Sequence, residues 1–323
     1  MTEYVTSTTT KYTGIICQDK ANFFINGTFA NIYINLNNKM FANVPLYKKL
    51  ALSWQIIPVY FVVIEVTYSV NHYILFNENE SSLKKKLSLF LFEPLSIMTI
   101  ITHLLSMFKS PGYVPIPFTH YESSKLPDIS PSHTNNDIRN DLYCRKCQNP
   151  RPPRSHHCKV CKKCTLKMDH HCHWVANCVG YYNQKNFYQF LFYSTFGDLV
   201  GFFLLFNSFL NCDKDIKSNI PQGVVISSPF TLVYYMWTPI QLLISSLCAL
   251  AMTIGIGFLF YKQTKMLLNN QTTIDKKMYP IWSNGPFYEP NKCKSFKSVM
   301  GNSIFSWLSL KFDGNDPYYT LQV

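Results

Sequence analysis

Residues 144–178 contain a dense cluster of cysteine and histidine side chains. Seven of the 11 cysteines and five of the nine histidines of the 323-residue chain lie within these 35 residues. They are Cys144, Cys147, Cys158, Cys161, Cys164, Cys172 and Cys178, with His156, His157, His170, His171 and His173. Disulfide frameworks belong to small secreted domains and need no histidine, whereas thiols mixed with imidazoles indicate bound metal in a reducing compartment.

The spacing of these thiols is typical of zinc ligands. Cys144 and Cys147 form one Cys-x-x-Cys unit, and Cys158, Cys161 and Cys164 form two overlapping units. Two thiolates three residues apart can bind one Zn²⁺ from a tight turn, and a tetrahedral site needs two further N or S ligands. Two such sites use eight ligands, so at least one thiol is left over. Free cysteines without metal would not explain this density.

Cys172 is the thiol whose neighbouring residues favour a role as a nucleophile. It ends the run Asp169-His170-His171-Cys172, in which an acid, two imidazoles and a thiol are adjacent. A His–Asp pair and the positive field of nearby zinc would favour the thiolate, which is the nucleophilic form. A structural ligand needs no such help, although spacing alone also allows Cys172 to be a ninth zinc ligand.

Four apolar stretches would hold this cluster at a membrane. They are residues 50–76, 87–108, 187–210 and 230–261. Each is long enough to cross a bilayer core of about 30 Å as a helix. Polar residues lie in or near them, among them His103 and Asp198, and we expect Asp198 to face the helix bundle in a structural hydrogen bond. Buried helices of a soluble protein are the alternative, which the aromatic-rich ends and basic flanks disfavour.

The basic charge of the chain is explained by its expected topology. The net charge is +12, and all 30 Lys and Arg residues lie outside the four stretches, twelve of them in 109–186. The positive-inside rule then places both termini and this central stretch in the cytosol, with two short loops on the far side. Nucleic acid is therefore not needed as a partner.

The sequence around Asp169-His170-His171-Cys172 resembles the signature of the DHHC protein S-acyltransferases (palmitoyltransferases). The run is preceded by Cys-x₂-Cys-x₉-His-Cys-x₂-Cys-x₂-Cys and followed by Trp174 and Asn177-Cys178-Val179-Gly180. The close match covers about residues 144–186. Weaker echoes of other family motifs lie at Ser110-Pro111-Gly112, at Thr272-Thr273-Ile274-Asp275 and around 300–307.

The resemblance implies a role for each residue. Cys172 would accept a long-chain fatty acyl (palmitoyl) group from acyl-CoA, His170 would take its proton, and Asp169 would orient and polarise His170. Two structural zinc ions would be bound by eight residues in two sets, Cys144, Cys147, His157 and Cys164 for one and Cys158, Cys161, His171 and Cys178 for the other. The spacing supplies the ligands, whereas the pairing comes from the resemblance alone.

The topology agrees with that of the same family. We expect an α-helical polytopic membrane protein with four transmembrane helices and a cytosolic cysteine-rich zinc-binding domain of short β-hairpins between spans two and three. The predicted parts are a cytosolic tail (1–49), a transmembrane hairpin (50–108), a linker with the zinc domain (109–186), a second transmembrane hairpin (187–261) and a cytosolic tail (262–323).

Three residues depart from the family pattern. His173 stands where the family usually has Pro, Ser110 stands for the acid of Asp-Pro-Gly, and Asp275 stands for the longer acid of Thr-Thr-x-Glu. We interpret them as tolerated variation, with a weakly active or inactive member as the alternative.

The predicted function is protein S-acylation in two steps, from acyl-CoA to Cys172 and then to cysteine thiols of substrate proteins. The expected partners are the bilayer and cysteine-containing proteins at its cytosolic face. The rival is a membrane-anchored, catalytically inactive zinc-binding recruitment module. The whole Asp-His-His-Cys set favours the enzyme, because a scaffold would need only the metal ligands.

Overall fold

The computed structural model describes residues 56–75, 81–114, 143–219, 229–278 and 289–311. The predicted tail at 1–49 lies outside them, and the five-part domain division stays a prediction. The helices are α1 (Ile56–Val70), α2 (Ser82–Leu87), α3 (Glu93–Phe108), α4 (Gln184–Asn219), α5 (Pro229–Leu268), α6 (Thr273–Met278), α7 (Lys292–Met300) and α8 (Ile304–Leu308). The strands are β1 (Tyr143–Cys144), β2 (Asn149–Pro150), β3 (His156–Cys158), β4 (Lys163–Thr165), β5 (His170–Cys172) and β6 (Asn177–Val179).

Within the described residues, three helices are long and apolar enough to cross a membrane. They are Ser82–Phe108, Gln184–Cys212 and Met236–Leu268. They overlap the second, third and fourth predicted spans. The first predicted span, 50–76, is described only over 56–75, where Val59–Leu75 is a shorter apolar helix. The chain is therefore an integral membrane protein, and the count of four spans stays a prediction.

The long helices pack through an apolar core and expose large apolar side chains outward. Val66 of α1 and Phe92 are 2% exposed, and both contact α4 at Gly201. A Cβ added at Gly201 would lie 3.0 Å from each of these side chains, so glycine permits the close approach of the helices. Phe61 and Phe258 are 68% and 66% exposed, which suits contact with lipid.

Two carboxylates in the bundle have hydrogen-bond partners there. Glu65 of α1 accepts hydrogen bonds from Ser245 Oγ of α5 (2.8 Å) and from Ser69 Oγ (3.3 Å). Asp198 of α4 is buried and accepts one from Ser194 Oγ (3.4 Å). Pairing of this kind offsets the cost of placing polar groups in the hydrocarbon region.

The hairpin region is fixed to the end of α3. The Asn177 side-chain amide donates to the backbone carbonyls of Met107 (3.1 Å) and Lys109 (2.9 Å), which are left without helical partners where the helix ends. The segment after α3 then passes the end of β4, and Leu166, the residue after this strand, donates its N–H to the Gly112 carbonyl (2.7 Å). The position of β6 is therefore tied directly to a membrane helix.

The C-terminal segment is held against the start of α4. The Lys185 side chain is fully buried, and its Nζ donates to the carbonyls of Ser306 (2.6 Å) and Lys311 (2.7 Å). Gln189, one turn further along α4, donates to the carbonyls of Trp307 (2.7 Å) and Ser309 (3.1 Å). The C-terminal region around 300–307, which weakly resembled a family motif, thus belongs to a segment that packs against the start of α4.

Candidate active site

The three hairpins repeat one another at an interval of 14 residues. The residue before each second strand has a left-handed backbone: Gln148 (φ 49°), Lys162 (φ 58°) and Ala176 (φ 47°). The first strand of each hairpin ends on a cysteine, namely Cys144, Cys158 and Cys172. The sequence carries this repeat, although the recurring Cys-x-x-Cys units alone did not reveal it. Cys172 therefore occupies the place of a metal-cluster cysteine in the third hairpin.

One cluster consists of Cys144, Cys147, His157 and Cys164. The two residues Cys144 and Cys147 lie in the first hairpin, where the Cys147 N–H donates to the Cys144 Sγ (3.4 Å). His157 and Cys164 face each other across β3 and β4. The His157 Nδ1 lies 3.7 Å, 3.2 Å and 4.0 Å from the sulfurs of Cys144, Cys147 and Cys164.

The other cluster, Cys158, Cys161, His171 and Cys178, is built in the same way one hairpin later. The Cys161 N–H donates to the Cys158 Sγ (3.3 Å), and His171 faces Cys178 across β5 and β6. The His171 Nδ1 lies 3.6 Å, 3.4 Å and 3.6 Å from the sulfurs of Cys158, Cys161 and Cys178. Each cluster therefore joins two successive hairpins.

Both clusters have the size and donor set of a tetrahedral zinc site. Their four ligand atoms lie within 4.8 Å of one another, and the N···S and S···S distances run from 3.2 to 4.0 Å. Bond lengths of about 2.3 Å (Zn–S) and 2.0 Å (Zn–N) separate the corners of such a tetrahedron by about 3.5–3.8 Å. Three thiols and one imidazole leave no open position, so the sites suit a structural metal. His156 and His173 belong to neither cluster.

Cys172 is also in neither cluster. In the third hairpin Val175 stands where Cys147 and Cys161 stand in the first and second, and its side chain is completely buried. The repeat thus supplies the first cysteine of a third metal-binding turn but not the second. The Cys172 thiol is therefore not a member of either metal-binding cluster.

Strand β5 presents Cys172 and His170 together. Alternate residues of a strand share a face, so His170 and Cys172 lie on one side, whereas His171 points to the other side and its cluster. The His170 Nδ1 is 2.6 Å from Asp169 Oδ2, which leaves Nε2 for a second partner. Asp169, His170 and Cys172 thus form one polar group beside the metal clusters.

Asp169 is held by residues of α5 and α6. It is 2% exposed, and it accepts hydrogen bonds from Gln263 Nε2 (2.9 Å) and from the backbone N–H of Thr273 (2.5 Å). Burial alone would raise the pKa of Asp169, but the hydrogen bonds from His170, Thr273 and Gln263 hold it below its usual value. Asp169 is therefore an ionised, fixed acceptor for His170.

The charge of Asp169 acts in turn on His170. Burial alone would lower the pKa of His170, but the hydrogen bonds to Asp169 and to the Cys172 thiol, with their charges, raise it to about 10. An imidazole with this pKa binds a proton firmly at neutral pH. The pair is thus suited to hold a proton beside a developing sulfur anion.

The other side of Cys172 is apolar. The thiol is 6% exposed and packs in a cluster of buried side chains from the third hairpin and from α4, with Ile256 and Phe260 of α5 packed against it. The other buried members are Val175, Val179, Phe187, Phe190 and Leu191. Cys172 thus lies between a charged pair and an apolar wall made by the third hairpin and two membrane helices, which suits a group with a polar head and a long hydrocarbon chain.

Comparison with known proteins agrees with this geometry. Residues 137–279 match the family described as DHHC palmitoyltransferase. Probable protein S-acyltransferase 12 of Arabidopsis thaliana is 32% identical over 235 residues, which cover 71% of this chain and 75% of that protein. The chain belongs to the DHHC palmitoyltransferase family. Palmitoyltransferase ZDHHC3-A of Danio rerio is 31% identical over 224 residues, covering 68% of this chain and 64% of that protein.

Membership in the DHHC family makes the chain a protein S-acyltransferase. The rival interpretation, an inactive zinc-binding recruitment module, is not favoured, because the chain carries the Asp-His-His-Cys run that names the family as well as the metal clusters. The two clusters could bind metal ions, which is consistent with a zinc-binding DHHC domain.

Two departures from the DHHC pattern have a structural explanation. Ser110 replaces an acid, yet its Oγ accepts a hydrogen bond from the N–H of Gly112 (3.2 Å) and so stabilises the turn. Asp275 is shorter than the usual Glu, and its Oδ2 accepts from the buried guanidinium of Arg154 at 3.1 Å and 2.7 Å. The shorter acid therefore still joins the hairpins to α6. Nothing in the structure explains His173, whose side chain is exposed.

Gln263 and Arg154 were not predicted from the sequence. Gln263 lies ten residues before Thr273 and within the matched DHHC domain. Its side chain donates a hydrogen bond to Asp169, which lies 94 residues earlier in the chain. The Thr272–Asp275 echo was noted, but its contact is a backbone N–H, which no side-chain pattern reveals. An isolated amide and a single arginine carry no local signal of their distant partners.

Proposed function

We propose that Cys172 is the residue that carries the acyl group, with His170 as its base and Asp169 as the group that orients His170. One observation supports this most strongly: Cys172 has the chain position of a metal ligand but lies outside both clusters, beside the Asp169–His170 pair. The donor is a long-chain acyl-CoA such as palmitoyl-CoA, and the acceptors are cysteines of proteins at the membrane surface.

The first step is a thioester exchange. The Cys172 Sγ attacks the thioester carbonyl carbon of palmitoyl-CoA, so a new S–C bond forms and the S–C bond to CoA breaks. The proton of the Cys172 thiol is held on His170 Nε2, because the raised pKa of His170 favours the imidazolium, and it then passes to the departing CoA sulfur. Asp169 fixes the ring by accepting from Nδ1 and stabilises the imidazolium while it exists.

The second step repeats this exchange in the other direction. A cysteine thiol of the substrate protein attacks the thioester at Cys172, its proton passes to His170, and the Cys172 sulfur leaves and takes that proton. One thioester replaces another in each step, so the reaction is nearly thermoneutral and the enzyme has only to lower the barrier. The apolar wall suits the acyl chain that waits between the steps.

The clusters suit two structural Zn²⁺ ions, the first bound by Cys144, Cys147, His157 and Cys164 and the second by Cys158, Cys161, His171 and Cys178. Bound zinc would supply folding energy to hairpins of only two or three residues per strand, which have little apolar core of their own. Neither ion takes part in the acyl-transfer steps.

Acyl transfer can be tested with the purified full chain in lipid nanodiscs. We expect alkyne-labelled palmitoyl-CoA to label the protein, and hydroxylamine to release the label because it is a thioester. A cysteine-containing, membrane-anchored acceptor peptide should then gain the label that the enzyme loses, whereas the same peptide with Ser for Cys should gain none. An unlabelled enzyme, or a label that resists hydroxylamine, would contradict the proposed function.

We place the active site on the cytosolic side, because twelve basic residues lie in 109–186. Epitope tags at either terminus or in 120–135 are expected to be digested by protease added from the cytosolic side of sealed membranes. Tags in 77–84 or 213–222 should be protected. Protection of the central tag would show that the orientation is reversed.

A further inference from the structure

His103 is a buried polar residue of a candidate span that the proposed chemistry does not use. It lies in α3, five residues before the helix ends at Phe108, and is 1% exposed. A polar side chain is costly in the apolar interior of a membrane protein unless both its donor and its acceptor are paired. The hydrogen-bond partners of His103 therefore indicate which parts of the structure it positions.

Both ring nitrogens of His103 have partners. Nε2 lies 3.0 Å from the backbone carbonyl oxygen of Trp174, and Nδ1 lies 3.0 Å from the hydroxyl of Tyr60 in α1. A carbonyl oxygen can only accept, so Nε2 carries the hydrogen and donates it. In the neutral ring Nδ1 then accepts from the Tyr60 hydroxyl. The hydrogen-bond chain runs from Tyr60 through His103 to Trp174.

This chain ends in the turn that follows the nucleophile. Trp174 lies in the turn His173–Val175, two residues after Cys172. The His103 ring also packs edge-on against Phe190, with ring centroids 5.0 Å apart, and Phe190 belongs to the apolar wall around the thiol. The His103 side chain therefore contacts both the backbone of the turn that follows Cys172 and a member of the apolar wall around its thiol.

We propose that His103 is a positioning residue for Cys172, and that Tyr60 supports it in this role. The Tyr60–His103–Trp174 clamp fixes the turn after Cys172 to two membrane helices, so that the thiol stays at the depth and angle at which it meets the acyl thioester. This inference rests on the proposed role of Cys172. A displacement of about 1 Å at a reacting group can cost about 10²-fold in rate.

Four variants separate the hydrogen bonds from packing. His103→Phe keeps a ring against Phe190 but loses both hydrogen bonds, whereas His103→Gln keeps a donor and an acceptor. Tyr60→Phe removes the supporting hydroxyl alone. Thr102→Val is the matched control, since Thr102 is an equally buried neighbour on α3 whose hydroxyl, within the part of the chain that the structure describes, bonds only to carbonyls of its own helix.

The measurement is single-turnover acylation of each purified full chain in nanodiscs with palmitoyl-CoA, together with zinc content. We expect His103→Phe to lower the rate constant by about tenfold or more at unchanged amplitude and zinc content. His103→Gln should recover part of the loss, Tyr60→Phe should give a smaller loss, and Thr102→Val should match the wild type. Amplitude reports the folded fraction and the rate constant reports placement of the thiol.

Two results would overturn the clamp. One is a wild-type rate constant for His103→Phe, and the other is a lower amplitude at an unchanged rate constant, which would leave His103 only a role in folding. If His103→Phe does not fold, Tyr60→Phe decides, and a wild-type rate constant there rejects the clamp. A wild type that takes up no acyl group would instead reject the proposed function itself.

Discussion

Cys158→Ser is expected to remove bound zinc and to abolish most of the folded yield. Cys158 is in the middle hairpin, which supplies His157 and Cys164 to one cluster and Cys158 and Cys161 to the other. Structural zinc in small zinc-finger peptides supplies about 10–16 kcal/mol of apparent binding free energy, which is folding free energy. Loss of one thiolate therefore weakens hairpins that have little other support.

The measurement is zinc per chain by elemental mass spectrometry, with folded yield by size-exclusion chromatography. Cys293→Ser is the matched control, because Cys293 is an exposed cysteine of α7 outside both clusters, and it should behave as the wild type. Zinc content and yield at wild-type levels in Cys158→Ser would show that the clusters are not structural metal sites.

Cys172→Ser is expected to have the opposite pattern, with the acyl-enzyme lost and the zinc kept. A serine hydroxyl is a much weaker nucleophile than a thiolate at neutral pH, so acylation should fall by at least about 10³-fold. Zinc content should stay near two per chain, because Cys172 contributes to neither cluster. The readouts are the initial rate of labelling by alkyne-palmitoyl-CoA and zinc content, again with Cys293→Ser as control.

The local part of the site could be predicted from the sequence. The metal clusters and the Asp169-His170-Cys172 group lie within 35 residues, and their spacing indicated the metal ligands, whereas the pairing of the ligands came from the family resemblance. Three of the four predicted spans could also be placed, because about 20 consecutive apolar residues are a strong signal. Counting ligands left at least one thiol over, and the adjacent Asp169-His170-His171 run indicated that this thiol is Cys172.

The supporting contacts could not be predicted, because they join distant parts of the chain. Asp169 is held by Gln263 and Thr273, which lie 94 and 104 residues away. Arg154 and Asp275 are 121 residues apart. Such pairs depend on the rotation and depth of the membrane helices, which one sequence does not specify. His103 was noticeable as a polar residue in a span, but its partner at Trp174 is a backbone carbonyl with no side-chain signature.

The most direct test of the central claim is to locate the acyl group in an acyl-enzyme whose zinc content is measured in the same sample. The purified chain is loaded with palmitoyl-CoA, digested at low pH to preserve thioesters, and analysed by peptide mass spectrometry. We expect a hydroxylamine-sensitive palmitoyl group on Cys172 alone, with about two zinc ions per chain. A palmitoyl group on one of the six cluster cysteines, with Cys172 unmodified, would contradict the assignment of Cys172 as the acyl carrier.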